Sequence, residues 1–181
     1  VKSLLTVILL GALAACQKDP IEVRRVPKED QPPAAMAESG RPKGLSWTAP
    51  AGWKEVAGTG MRVASFELPK GPGKAEVTVV ALPGDVGGEL ANVNRWRGQL
   101  ALAPIGEADL PAARAAVHCR LGNMFVYDFT GEGAKKTRLV AGMIQVSGTM
   151  WFFKLMGDEA AVGAAKPAFV KLLSGLKADG A

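Results

Sequence analysis

The stretch Thr137-Arg138-Leu139-Val140-Ala141-Gly142-Met143-Ile144-Gln145-Val146-Ser147-Gly148-Thr149-Met150-Trp151-Phe152-Phe153-Lys154-Leu155-Met156-Gly157 decides the fold class. Two runs rich in β-branched, aromatic and other apolar residues flank Ser147-Gly148, a turn dipeptide, and predict strands over Thr137–Val146 and Met150–Met156. Immediately downstream the period changes. From Asp158 to Leu176, Val162, Phe169, Leu172, Leu173 and Leu176 fall on one face of a helix. Acidic residues at its start and Lys171 and Lys177 near its end suit the helix dipole, and capping accounts for Asp158-Glu159.

Working upstream, Asn123–Phe129 reads as a strand ended by Gly131-Glu132-Gly133, and Arg114–Leu121 as either a strand or a turn of helix. Leu102–Pro111 reads as a connection. Leu90, Val93, Asn94, Arg97 and Leu100 recur at helical spacing, so Glu89–Leu100 is a second helix. Met61–Leu68 and Ala75–Leu82 form a hairpin around Pro69-Lys70-Gly71-Pro72-Gly73, and Leu45–Thr48 is a short strand closed by Ala49-Pro50-Ala51-Gly52 before Trp53. The expectation is an α+β fold: an antiparallel sheet of about six strands with one mid-chain and one C-terminal helix.

Composition narrows the class of function. The chain has 181 residues, 48% hydrophobic and 22% charged, which excludes wholesale disorder. A net charge of +5 is too mild for a dedicated nucleic-acid binder. Two cysteines exclude a disulfide-stapled scaffold, and one histidine leaves little for a metal site, so neither metal nor cofactor is expected.

The first residues are expected to lie outside the folded domain. Val1-Lys2-Ser3 carries one positive charge, Leu4–Leu10 is apolar but too short to span a bilayer, and Leu13-Ala14-Ala15-Cys16 follows. That step resembles a bacterial lipoprotein lipobox. The resemblance implies a signal peptide over residues 1–15, cleavage before Cys16 and diacylglyceryl transfer to the Cys16 sulfur. Two or more acyl chains anchor a protein stably, at ~0.8 kcal/mol per buried methylene. Gln17 is not aspartate, which by resemblance to the enterobacterial sorting rule favours the outer membrane. Residues 16–43 carry Pro20, Pro27, Pro32, Pro33 and Pro42 and no hydrophobic period; they read as a tether able to reach ~90 Å when extended. The single domain is then 44–181.

The opening Trp47-x-x-Pro50-x-x-Trp53, a hairpin, a mid-chain helix and Trp151-Phe152-Phe153-Lys154-Leu155-x-Gly157 feeding a helix with Phe169 together resemble the Mog1/PsbP-like fold. The resemblance implies an αβα sandwich. Its members include photosystem-associated lumenal subunits, a Ran-binding factor and bacterial envelope proteins, which share no single chemistry. The segment Asn92-x-Asn94-Arg95-Trp96-Arg97-x-Gln99-Leu100 is also similar to one in bacterial lipoproteins, and implies no activity.

That segment is the candidate site. On a helix, Asn92, Arg95, Trp96 and Gln99 lie together, with Arg97 nearer the Val93 side. An arginine fork beside an indole and amides suits a carboxylate, a phosphate or a peptide, and Trp and Arg are typical interface anchors. The structural alternative packs Trp96 on the sheet with the arginines snorkelling around it. Other candidates are weaker. Leu82-Pro83-Gly84-Asp85-Val86-Gly87-Gly88 matches no phosphate-binding spacing and reads as a turn and cap. His118-Cys119 would point to opposite faces of a strand, no G-x-S-x-G elbow exists, and Lys135-Lys136-x-Arg138 reads as a solvated basic face. These readings favour a non-catalytic, membrane-anchored envelope module that binds another envelope protein. A small-molecule or lipid carrier is the second reading. A hydrolase of envelope polymers, with His118 beside Asp109 or Asp128, is the third.

Overall fold

The computed structural model describes residues 44–179; the expected signal segment, Cys16 and the tether over 16–43 lie outside the described residues. Strands β1 (Lys54–Ala57), β2 (Arg62–Glu67) and β3 (Ala75–Pro83) precede helix α1 (Gly88–Gln99). A 3-10 turn (Glu107–Asp109) and the one-turn helix α2 (Leu110–Ala113) follow. Strands β4 (Arg114–Cys119), β5 (Gly122–Thr130), β6 (Thr137–Val146) and β7 (Thr149–Asp158) then lead into helix α3 (Glu159–Ser174). The seven strands form one sheet in the order β1-β2-β3-β7-β6-β5-β4, and every neighbouring pair is antiparallel.

The β6–β7 hairpin organises the sheet. Ser147 (φ 50°) and Gly148 (φ 76°) both take positive φ, as a tight two-residue connection requires. The hairpin then runs in register from Val146↔Thr149 to Thr137↔Asp158. β7 is the central strand, and apolar residues pack against it on both faces. Trp151, Phe153 and Leu155, all fully buried, join Trp47, Phe66 and Val77 in a core closed by Phe169, Leu172 and Leu173 of α3. Phe152 and Met156 point the other way and pack against Val93, Trp96 and Leu100 at α1, with Tyr127, Phe129 and Leu139. The domain is an α+β fold with a helix layer on each face of the sheet, the arrangement that the Mog1/PsbP-like resemblance implies.

Three elements differ from expectation. Leu45–Thr48 is not a sheet strand: Ser46 makes a single antiparallel bridge to Lys177, beyond α3, while Leu45 and Trp47 are buried in the α3-side core. β1 was not anticipated. All four of its residues are exposed at the sheet edge, so it carries no alternating pattern to read. Arg114–Leu121, open between strand and helix, resolves as edge strand β4, and α2 occupies the end of the expected connection.

At Gly157 the backbone entering β3 leaves no room for a side chain on β7. A Cβ there would stand 2.1 Å from the Lys74 carbonyl oxygen and 2.5 Å from the Ala75 Cα. Gly157→Ala must push the start of β3 away from the central strand, and is expected to destabilise the domain by ~1–3 kcal/mol in urea unfolding. An unchanged unfolding midpoint would contradict this contact.

Candidate functional site

The turn ahead of α1 explains its glycines and its polar residues together. Gly87 (φ 82°) and Gly88 (φ 69°) adopt the left-handed backbone that lets the chain leave β3 and enter the helix. No side chain caps Gly87. Instead Asn92, 1% exposed, donates from Nδ2 to the carbonyls of Val86 (2.8 Å) and Gly88 (2.7 Å), and its Oδ1 accepts from Arg95 Nη1 (2.7 Å). The Asp85 carboxylate accepts from the Gly88 N–H (3.2 Å), so the turn binds its own polar groups. Asn94 clasps Ile105 through both N–H (2.8 Å) and C=O (3.0 Å), and Arg97 donates to the Ala103 carbonyl (2.7 Å) while lying 5.0 Å above the Phe129 ring. Trp96 is buried, 5.8 Å from Tyr127 and edge-on to Phe152 at 6.4 Å.

On the flank of α1 that faces β4 and β5, Glu89 accepts from Arg114 Nη1 (2.8 and 3.0 Å) and from the Tyr127 hydroxyl. Burial, and then that bond to Glu89, push the Tyr127 phenol above its ordinary range. Arg114 sits 3.6 Å over the Phe125 ring. These groups hold α1 to the sheet.

The opposite flank is open. Arg95 and Gln99, four residues apart and both exposed, share one side of the helix, and Gln99 reaches the edge of the half of the sheet that the α1 core does not draw on. Lys154 Nζ donates to Gln99 Oε1 at 3.3 Å. Register places Ser65, Thr78 and Lys154 in one row on this face, with Val80 and Phe152 in the next. The core under α1 draws on β5, β6 and β7 but on no residue of β2 or β3. Arg62, bonded to Glu76, adds a further charge pair. Burial, and then Arg62, hold the Lys154 ammonium below its ordinary pKa. The result is a shallow, cation-rich half-face with a half-buried aromatic floor. Asn92 and Trp96 are internal supports of this surface, Arg97 buttons down the following loop, and Arg95 and Gln99 are what it presents. Lys154 and Arg62 were missed because β3 and β7 meet only through long-range pairing; the one local signal was a lysine inside an aromatic run.

A cleft of about 570 Å³ lies elsewhere, between α3 and the β2–β3 loop, and none of Asn92–Gln99 lines it. Asp158 does not cap α3 as expected. Its carboxylate accepts from the Lys74 N–H (2.9 Å) and pairs with Lys135 (3.0 Å), because the β2–β3 loop reaches it before the helix does. The Lys74 N–H first, then Lys135, lower its pKa. Lys135-Lys136-x-Arg138 is not one patch: Arg138 turns inward to Asp128 (2.7 and 2.6 Å), which also accepts from Lys166 of α3 (2.7 Å). His118 and Cys119 do face opposite sides. His118 is exposed with Asn123 Oδ1 at 3.2 Å, and the buried Cys119 thiol donates to the Gly122 carbonyl. Asp128 is held by Arg138 and Lys166, and Asp109 accepts from the Gly106 N–H (2.9 Å), so neither carboxylate orients His118. Among the described residues no three His, Cys, Asp or Glu side chains are grouped to hold a metal ion, and no helix is long and apolar enough to cross a membrane.

No family model matches the chain, and no curated protein matches it. Among solved structures it is similar to a protein of Bacteroides thetaiotaomicron VPI-5482, at 12% identity and a TM-score of 0.46, over 74% of this chain and 44% of that one. The chain thus spans less than half the length of that protein. It is similar to LpqN, involved in cell envelope biogenesis of Mycobacterium tuberculosis, at 12% identity and a TM-score of 0.46, over 72% and 79% of the two chains. The cyanobacterial PsbP of Synechocystis sp. PCC 6803 is similar at 13% identity and a TM-score of 0.46, over 75% and 92%. These are likenesses of outline and transfer neither activity nor partner.

Two measurements check the supports. Asn92→Ala removes the side-chain bond to the Val86 carbonyl and frees Arg95, while the Gly88 carbonyl keeps its helical N–H, and is expected to cost ~1–3 kcal/mol in urea unfolding. For Asp128, burial alone would raise the carboxyl, but Arg138 and Lys166 outweigh it and hold it below its ordinary value. Its stabilisation is therefore complete above the unfolded pKa of ~3.9 and is lost as pH falls through the folded one. Asp128→Asn should be less stable than wild type at neutral pH, and the gap should close in strong acid. A gap independent of pH would contradict the ion pairs.

Proposed function

We propose that the chain is a non-catalytic accessory module of the bacterial cell envelope. In this reading it is held to a membrane, the outer one by its Gln17, through lipid on Cys16. It engages a second envelope protein through the open half-face beside α1. The lipobox Leu13-Ala14-Ala15-Cys16 and the proline-rich stretch over 16–43 support the anchor and the stand-off. The observation that carries the binding surface is the 3.3 Å contact between Gln99 and Lys154. It brings the exposed flank of α1 to the near edge of the open half-sheet, where β7 meets β3. The matching partner presents carboxylates around a small apolar element, which would seat on Phe152 and Val80 while Arg95 and Lys154 supply charge-assisted bonds.

A photo-crosslinking residue at Ala91, exposed on the Arg95 flank, tests this in intact cells, with Lys171 on the opposite helix as control. One discrete protein adduct from position 91, absent from position 171 and lost in an Arg95→Glu/Lys154→Glu background, is expected. No adduct at 91, or the same adduct from both positions, would remove the assignment. Cys16→Ser should move the protein from the membrane to the soluble fraction.

A further inference from the structure

The cleft on the α3 side exists because two elements that face each other cannot close. Ala161, Ala164, Ala165 and Ala168 give this flank of α3 side chains too short to reach the β2–β3 loop. The loop cannot move in to meet them, because it is fixed at both ends. At one end Lys74 and Asp158 exchange bonds, N–H to carboxylate at 2.9 Å and Asp158 N–H to the Lys74 carbonyl at 2.8 Å. There is no slack there: a Cβ on Gly73 would stand 2.8 Å from the Asp158 carboxylate. At the other end Pro69 lies against Gly52, where an added Cβ would be 3.3 Å from its ring. Trp53, packed 5.8 Å from Phe66, closes the floor.

The lining is chemically one-sided. Apart from the lysines it consists of Trp, Leu, Pro, Gly and Ala, with no hydroxyl, amide or carboxylate side chain to read a sugar, a base or a peptide backbone. Lys70 and Lys74 stand exposed at the mouth, and no ion pair with another described residue engages either ammonium. The Asp158 carboxylate feels the Lys74 charge but bonds the Lys74 N–H and Lys135 instead. A volume of about 570 Å³ falls within the range of small-molecule sites.

We propose that this cleft binds a single-chain anionic amphiphile, the acyl chain lying along the alanine flank of α3 over Trp53 and the carboxylate meeting Lys70 and Lys74. The site is on the opposite face of the sheet from Arg95 and Lys154, so it stands or falls independently of the partner surface.

Calorimetric titration with oleate tests it, on the full chain carrying Cys16→Ser so that no detergent competes. One oleate per chain is expected. Lys70→Ala/Lys74→Ala should weaken oleate about tenfold while leaving oleyl alcohol unchanged, since only the charge contribution is removed. Ala165→Leu should fill the cleft and abolish both. Ala164→Leu, at a more exposed position, serves if the first variant melts early. No oleate uptake below its micelle point, or uptake indifferent to both fillings, would overturn the proposal. So would lysine-dependent binding to phosphatidylglycerol vesicles without uptake of free oleate, which would reduce the cleft to a charged surface.

Discussion

The central strand of the seven-stranded sheet, β7, is packed on one face and half-covered on the other, and it meets both with three consecutive aromatic residues. Trp151 and Phe153 go to one side, where Trp47 meets both edge-on at 6.0 and 5.6 Å. Phe152 goes to the other and receives Trp96. Each helix is thereby assigned its face by the alternation of one strand. α3 has no connecting loop: Asp158 ends β7 and Glu159 begins the helix, so the chain must fold back at once onto the Trp151 side. The buried Trp151 indole N–H finds no hydrogen-bond acceptor among the described residues.

How much of this could be read in advance follows from where each signal is stored. The hairpins β2–β3 and β6–β7 and the helices α1 and α3 announce themselves because periodicity and turn residues are local. β1 has no buried side, so nothing in Lys54-Glu55-Val56-Ala57 distinguishes it from a loop. Leu45–Thr48 misleads for the converse reason: Leu45 and Trp47 are buried by side-chain packing, without a strand partner in the sheet. In the candidate site, residue type singled out Asn92 to Gln99, but not their division of labour. That division depends on carbonyls at Val86, Ala103 and Ile105, which only the loop geometry brings near. The α3-side cleft was illegible in principle, since it arises from side chains that fail to meet.

The two faces of the sheet thus carry different chemistries on a shared strand. Lys154 faces the half-open side with Arg95 and Gln99, while its neighbours Phe153 and Leu155 seal the opposite core. Polar residues near α1 are spent mostly on fixing loops, and those near α3, Asp128 and Asp158 above all, on tying the helix and the β2–β3 loop to the sheet.

The bridge between Ser46 and Lys177 has a mechanical meaning. Their backbones exchange two hydrogen bonds, at 2.9 and 3.1 Å, and the Gly44 N–H donates to Asp179 at 2.7 Å, so the chain comes into the domain and leaves it at one spot. A pull on the chain ahead of Gly44 meets these bonds before it reaches any strand of the sheet. The next element to yield is Trp47, whose ring leans on Trp151 and Phe153. Tension from that side therefore falls on the leading segment and on Trp47, a cover of the larger core, ahead of the sheet.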